Sequence, residues 1–194
     1  MNKKICLENL HNILNANNIT MSGLTATKQL LYKEDKEPVE YGLINLLIID
    51  GNEEIEIADV VLRVFGKCEG NFDVFIDEED EGLSKLYEGL DLGGDFIPEV
   101  ITLLSGDGRL VYLESIEVAE DYRNIGIATN IINMLPDLVK DLFGNIEGVL
   151  ALNALAFDYE NEEEFLNECV HLSEYFNSLG FEIGTDEFTL YKII

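Results

Sequence analysis

The chain has 194 residues, of which 47% are hydrophobic and 26% are charged, a composition sufficient for one domain with a sizeable core. Its 39 acidic residues outnumber the 12 Lys and Arg residues, which gives a formal net charge of -27. That charge would repel a phosphate backbone or an anionic bilayer, so neither nucleic acid nor a membrane is expected as a partner. Two interpretations of the charge stay open: solubility, and attraction of a basic partner or an amine substrate.

The three cysteines, Cys6, Cys68 and Cys169, are widely spaced and form no C-x-x-C motif. Scattered cysteines in odd number, without histidine at metal-ligand spacing, are typical of reduced core thiols, so no metal is expected. The most apolar window, Leu43–Ile49, is far too short to cross a bilayer, and no long apolar run follows the N-terminus. We therefore expect a soluble, cytoplasmic protein.

The first part of the chain reads as a helix followed by strands. Apolar residues at helical spacing predict a helix within residues 1–20, which ends in an Asn-rich stretch. Residues 21–40 are mixed and give no clear pattern. Apolar runs predict strands at Tyr41–Asp50 and Glu54–Phe65 on either side of a turn, and alternation predicts a third strand at Asn71–Asp77.

A helical insert is predicted next. The acidic run Asp77–Glu81 precedes a helical pattern at Leu83–Leu90, where its carboxylates favour the helix N-terminus; a metal site is the alternative interpretation. A short apolar segment, Glu99–Leu104, completes the insert. A glycine-containing turn then leads into a strand at Val111–Val118, in which β-branched and aromatic residues alternate with polar ones.

The second half alternates helices and strands. An apolar stripe predicts a helix from near Gly126, and Pro136 predicts a kink or a fresh start within it. The apolar run Gly148–Phe157 suits a buried strand parallel to the preceding one. A helix is predicted over 160–179, ended by Gly180.

Two short strands, Phe181–Ile183 and Phe188–Ile194, close the chain. The element order predicts a single α/β domain over residues 1–194, with a mixed central sheet flanked by helices. Residues 1–109 form its N-terminal half and residues 110–194 its second half.

The turn between the 111–118 strand and the following helix is a candidate anion site. Its sequence, Arg123 to Ala128, keeps Gly and Ala at the positions nearest the helix start and an arginine at the mouth. Unpaired backbone N–H groups at a helix N-terminus bind anions. The alternative is that Gly126 only permits a tight turn.

This turn resembles the pyrophosphate loop of the GNAT superfamily of N-acyltransferases, which reads Gln/Arg-x-x-Gly-x-Gly/Ala. Arg123, Gly126 and Ala128 occupy the matching positions. Residues Tyr175–Phe181 are similar to the Tyr-x-x-Leu-Gly-Phe element that comes late in the family. The two matches cover roughly the C-terminal half, whereas the N-terminal half matches only in element order.

The resemblance implies a mostly antiparallel sheet with one parallel strand pair splayed at the cofactor site, and helices of the N-terminal half on the acceptor side. It implies acetyl-CoA as co-substrate and no metal. The pyrophosphate would lie on the backbone amides of the turn and the pantetheine arm beside the 111–118 strand. The implied cofactor-binding residues are Ile116, Val118, Arg123, Asn124, Ile125, Gly126, Ile127, Ala128 and Thr129.

Acyl transfer needs a base, oxyanion donors and an acid for the leaving thiolate. Glu114 lies where some family members carry the base; the alternative is that Glu114 is a structural glutamate that faces solvent. Glu117 points to the opposite face of the strand. Backbone N–H groups near residues 116–118 are the inferred oxyanion donors. The tyrosine that acts as general acid in the family aligns with Phe176. Tyr175 can therefore act as the general acid only if the helix is rotated, and His171 lies one helical turn before Tyr175.

The leading functional interpretation is direct transfer of an acetyl group from acetyl-CoA to a primary amine of a small molecule or protein. The acidic charge favours a cationic acceptor such as a polyamine, an aminoglycoside or a lysine side chain. The alternatives are a non-catalytic GNAT-fold domain that binds CoA, and an acidic protein-interaction domain. The protein is expected to be a monomer or a homodimer.

Overall fold

The structure is a computed structural model that describes residues 3–31, 39–65, 81–90, 97–104, 106–144, 146–155, 161–186 and 188–194. In these ranges the helices are α1 (Lys3–Ala16), α2 (Glu81–Gly89), α3 (Pro98–Leu104), α4 (Ile127–Phe143) and α5 (Glu162–Ser178). The strands are β1 (Thr20–Leu31), β2 (Val39–Asp50), β3 (Glu53–Phe65), β4 (Arg109–Val118), β5 (Gly148–Asn153), β6 (Glu182–Ile183) and β7 (Thr189–Ile193).

The seven strands form one sheet in the order β1-β2-β3-β4-β5-β7-β6. The pairs β1–β2, β2–β3, β5–β7 and β6–β7 are antiparallel. β4 and β5 are parallel, with Arg109–Tyr112 in register with Gly148–Ala151. The predicted mixed α/β class, mostly antiparallel with one parallel pair and flanked by helices, is confirmed.

Two compact units make up the chain, and each is discontinuous in sequence. The first contains residues 1–64 and 113–146, and the second contains residues 65–112 and 147–194. β4 contributes to both, because its first four residues belong to the second unit and its remaining residues to the first.

In the first unit, α1 and α4 lie against each other and against β1. Alternate residues of β2 and β3 supply the sheet side of the core. A Cβ on Gly42 would lie 2.9 Å from the ring of Phe143, so only glycine lets the end of α4 approach β2 this closely. The buried residues of this core include Cys6, Leu10, Leu14, Ile44, Leu46, Ile48, Val60, Leu62, Val64, Ile131, Met134 and Leu135.

In the second unit, α2 and α3 pack on β5, and α2 and α5 contact β7. A Cβ on Gly89 would lie 1.9 Å from the hydroxyl oxygen of Thr189, so α2 ends in direct contact with β7. α5 ends as predicted: Gly180 has φ +84°, and the N–H of Phe181 donates to the carbonyl of Phe176 at 3.2 Å.

Most predicted elements of the first 104 residues are confirmed, with one omission. The structure contains the first helix, the strands now called β2 and β3, and both helices of the insert. Residues 20–31, which gave no pattern, form β1, because most of this strand is exposed and its side chains do not alternate between core and solvent. The predicted strand Asn71–Asp77, most of the acidic run and Cys68 lie outside the described residues.

The predicted elements after residue 109 also form. α4 is a single helix that continues through Pro136, so the fresh start considered there does not occur. β5 ends at Asn153, four residues before the predicted end, part of which lies outside the described residues. Cys6 and Cys169 are fully buried. None of the described helices combines the length and apolarity needed to cross a membrane.

Candidate functional site

The turn after β4 is tied to the neighbouring strand at its first residue. The N–H of Ala119 donates to the carbonyl of Ile57 at 2.8 Å. Ile57 is the extra residue of a bulge in β3, since Leu46 pairs with Ala58 and the next residue of β2 pairs with Glu56. A single 3-10 turn, Glu120–Tyr122, follows. The bulge therefore positions the start of the turn against β3.

Left-handed backbone shapes the rest of the turn. Asn124 has φ +62° and Gly126 has φ +92°. A Cβ on Gly126 would lie 3.4 Å from the side chain of Ile13 and 3.9 Å from that of Asn130, so space alone does not require glycine. The backbone conformation does, because L-residues rarely adopt this φ. Left-handed residues of this kind direct successive N–H groups to one side of the chain.

The turn presents a row of donors. Among the described residues, no acceptor is hydrogen-bonded to the backbone N–H groups of residues 124–128. The next internal bonds converge on Gly126, whose carbonyl accepts from both the N–H and the side-chain amide of Asn130, at 3.2 and 2.9 Å. Five consecutive donors at the positive end of a 17-residue helix form a suitable site for an anion.

Arg123 spans the mouth of this turn. Its Nε donates to the carbonyl of Val118 at 2.8 Å, while the residue as a whole is exposed. The same turn carries exposed Glu120 and Asp121, whose charges oppose an incoming anion. An anion at this turn would therefore have to be held by the backbone donors, the helix end and Arg123 together.

The predicted cofactor residues contribute in different ways. Ile127 is buried, so it offers only its backbone N–H, whereas Ile125, Ala128 and Thr129 are half-buried. Ile116 and Val118 are half-buried residues of β4, as a strand beside a bound arm would require. Asn130 was not predicted as a site residue. The sequence feature that could have indicated it is a polar residue within the apolar stripe of the helix.

Glu114 is held by an ion pair. Arg63 of β3 donates through Nε to Oε2 and through Nη2 to Oε1 of Glu114, so each carboxylate oxygen has one guanidinium partner. The side chains are 19% and 31% exposed. The guanidinium carbon also lies 5.5 Å from the ring centroid of Tyr41. This arrangement fixes the orientation of the carboxylate.

A second carboxylate, Asp59, lies two residues beyond the bulge in β3. Burial raises the pKa of Asp59 above its usual range, and the charges of Glu117 and Glu56 raise it further. Among the described residues, no hydrogen bond or ion pair reaches its carboxylate. Because Ile57 bonds to Ala119, Asp59 lies beside the last residues of β4. Asp59 was not predicted from the sequence, where its signal was an aspartate within the apolar run Ile57–Leu62.

The residues proposed for the acid step lie in the second unit, on α5. Phe176 is buried, with its ring centroid 5.6 Å from that of Phe181, whereas Tyr175 is only half-buried. The two neighbouring rings make an edge contact at 5.4 Å. His171 is exposed, and its Nδ1 lies 3.9 Å from a carboxylate oxygen of Glu168. Within the described residues, no group of three His, Cys, Asp or Glu side chains is arranged to hold a metal.

No family model and no curated protein sequence matches the chain. Its structure is similar to that of a tyrosine-to-phenylalanine mutant of KacT, with 11% identity and a TM-score of 0.44, covering 79% of this chain and 71% of that one. It is also similar to Arabidopsis thaliana NAA60 in complex with a bisubstrate analogue, with 19% identity and a TM-score of 0.39, covering 79% and 76%. The same protein in complex with acetyl-CoA matches with 18% identity and a TM-score of 0.36, covering 77% and 74%.

KacT and NAA60 are acetyltransferases of the GNAT family, the superfamily that the sequence resembles. At these identities and TM-scores the likeness carries no argument about this chain's chemistry.

Proposed function

We propose that this protein is an N-acetyltransferase that moves the acetyl group of acetyl-CoA to a primary amine. The observation that carries the proposal is the turn before α4, where five consecutive backbone N–H groups have no partner among the described residues. A pyrophosphate is the anion whose several oxygens suit several aimed backbone donors. In a chain with only 12 Lys and Arg residues, backbone donors also avoid the need for a basic pocket.

The residues from Arg123 to Thr129 fit such a group. The backbone N–H groups and the helix end would take the charge, and the exposed guanidinium of Arg123 would close the mouth of the turn. When bound, acetyl-CoA supplies the thioester whose acetyl group is transferred. The protein must also position the acceptor amine and provide a base that removes its proton.

Two carboxylates of the first unit are candidates for the base. Glu114 is the one suggested by the family resemblance, and both of its carboxylate oxygens accept hydrogen bonds from Arg63. Burial raises the pKa of Asp59, and no cation is paired with it among the described residues, so its carboxylate is the better suited of the two to accept a proton. Tyr175 remains the proposed acid. The net charge of -27 favours a cationic amine as acceptor.

A second candidate function is supported by one observation. If Glu114 serves only to anchor Arg63, the domain binds CoA without transferring an acyl group. The two-point ion pair favours this alternative, because a carboxylate used in that way is a structural group.

The test is calorimetric titration with acetyl-CoA, followed by acetylation assays on a panel of amines. We expect the wild type to bind, and Gly126→Ala to bind roughly five- to thirtyfold more weakly, because relieving about 1–2 kcal/mol of backbone strain distorts the turn. Gly51→Ala is the matched control: Gly51 has φ +63° and open space around it, but it lies in the β2–β3 turn. Absence of binding by the wild type refutes the proposal, and binding without transfer selects the second candidate.

A further inference from the structure

The two edges of the sheet differ sharply. One edge is β6, which has two residues, and the other is β1, which has twelve. Within the described part of the chain, no strand pairs with the outer side of β1. A long unpaired edge exposes a row of backbone donors and acceptors that another strand can join.

β1 lacks most of the devices that protect an edge. It contains no proline, and its only charged residue is Lys28. The ammonium group of Lys28 is paired with Glu40 of β2 and lies 5.3 Å from the ring centroid of Phe143, so it is directed into its own unit. A register shift near Ser22 bends the start of the strand, which leaves residues 23–31 as a regular edge.

The core-facing side of this edge is only partly covered by α1 and α4. Leu24, Ala26, Lys28 and Leu30 share the face of the buried residues Ile44 and Leu46, with which the first two pair in register. Even so, Leu30 is 47% exposed and Ala26 is exposed. The apolar face of the sheet therefore continues past the helices that cover its centre.

The charge distribution indicates which partner fits. Two copies of a chain with a net charge of -27 repel each other over most of their surface. β1 carries no Asp or Glu, and the first 33 residues contain four lysines and one glutamate. The strand itself therefore sets no carboxylates of two copies against each other, and it offers no carboxylate of its own to a basic partner.

We infer that β1 pairs with β1 of a second copy in an antiparallel arrangement, which makes one continuous sheet across a two-fold axis. If the pairing is centred on Thr27, Leu24 of one copy lies opposite Leu30 of the other, twice. Lys28 then lies opposite Ala26, so the two lysines do not face each other. The strand is self-complementary in this register, as a two-fold interface requires.

The test is sedimentation velocity of the full chain over a wide range of concentrations. We expect a dimer that dissociates on dilution. Thr27→Glu places two carboxylates directly opposite each other and should raise the dimer dissociation constant roughly fivefold. Adding Leu30→Glu should raise it further. Asn52→Glu, which adds the same charge at the exposed β2–β3 turn, is the matched control and should leave it unchanged.

Hydrogen exchange provides a second readout. Amides of residues 23–31 should become protected as the protein concentration increases, because the outward-facing half of them gains partners only in the dimer. A monomer at every concentration overturns the inference, as does a dimer that is insensitive to both glutamate substitutions. Protection of the strand in a monomer overturns it too, since another part of the same chain would then cover the edge.

Discussion

The ion pair between Arg63 and Glu114 provides the sharpest test of how the candidate site is built. Replacing Glu114 with Gln keeps the side-chain shape but removes the charge, and replacing Arg63 with Met removes the guanidinium. The two side chains are 19% and 31% exposed, so the pair is neither fully solvated nor fully buried. Both carboxylate oxygens accept a guanidinium hydrogen bond.

The expected magnitude follows from that intermediate exposure. Exposed ion pairs contribute about 0.2–1 kcal/mol, whereas breaking a buried pair costs about 3–5 kcal/mol. For this two-point, partly buried pair we expect a coupling energy of about 1–2 kcal/mol. Arg63→Met alone should cost more than Glu114→Gln, because it leaves a partly desolvated carboxylate unpaired and also loses the contact with the ring of Tyr41.

Urea unfolding of the wild type, both single variants and the double variant measures this coupling directly. A coupling energy near zero would refute the claim that the pair positions Glu114. The same proteins separate the two candidate bases. If Asp59 is the base, Asp59→Asn abolishes transfer without loss of stability, whereas Glu114→Gln lowers stability and leaves the pH profile of kcat/KM unchanged. If Glu114 is the base, Glu114→Gln loses transfer, and Glu114→Asp shifts the acidic limb of that profile, where a general base becomes protonated.

Three further outcomes are expected. Gly42→Ala should lose about 1–3 kcal/mol of unfolding free energy in urea, because its Cβ would lie 2.9 Å from a ring of α4; Gly23→Ala, with nothing within 4 Å, should not. The folded-state pKa of Asp59 is raised above 3.8, so the wild type loses stability as the pH rises from that value. Asp59→Asn should therefore be the more stable protein at neutral pH, and urea unfolding should show this advantage disappear in acid. Burial and the bond to Glu182 raise the pKa of Tyr191 to about 12, so ultraviolet titration should show one late tyrosine that is missing in Tyr191→Phe.

The predictions that succeeded came from patterns contained within a short stretch. The stripe of α4, the alternation of β4 and the glycine at 126 each reflect a local requirement of the backbone, so they can be read without knowing what packs nearby. β1 was missed for the complementary reason. Its side chains are mostly exposed, so they do not alternate between apolar and polar residues. Its strand conformation depends on pairing with β2, and a short stretch of sequence does not show that pairing.

The sequence by itself determined the mixed α/β class, the order of most elements and the glycine turn before α4. Only the tertiary structure decided the state of the carboxylates, because Glu114 meets Arg63 across 51 positions of sequence, and Asp59 meets the charge of Glu117 only when β3 and β4 are neighbours. The physical reason is that a pKa and an ion pair depend on groups brought together in space, whereas a helix stripe or a left-handed glycine depends on the chain's own geometry.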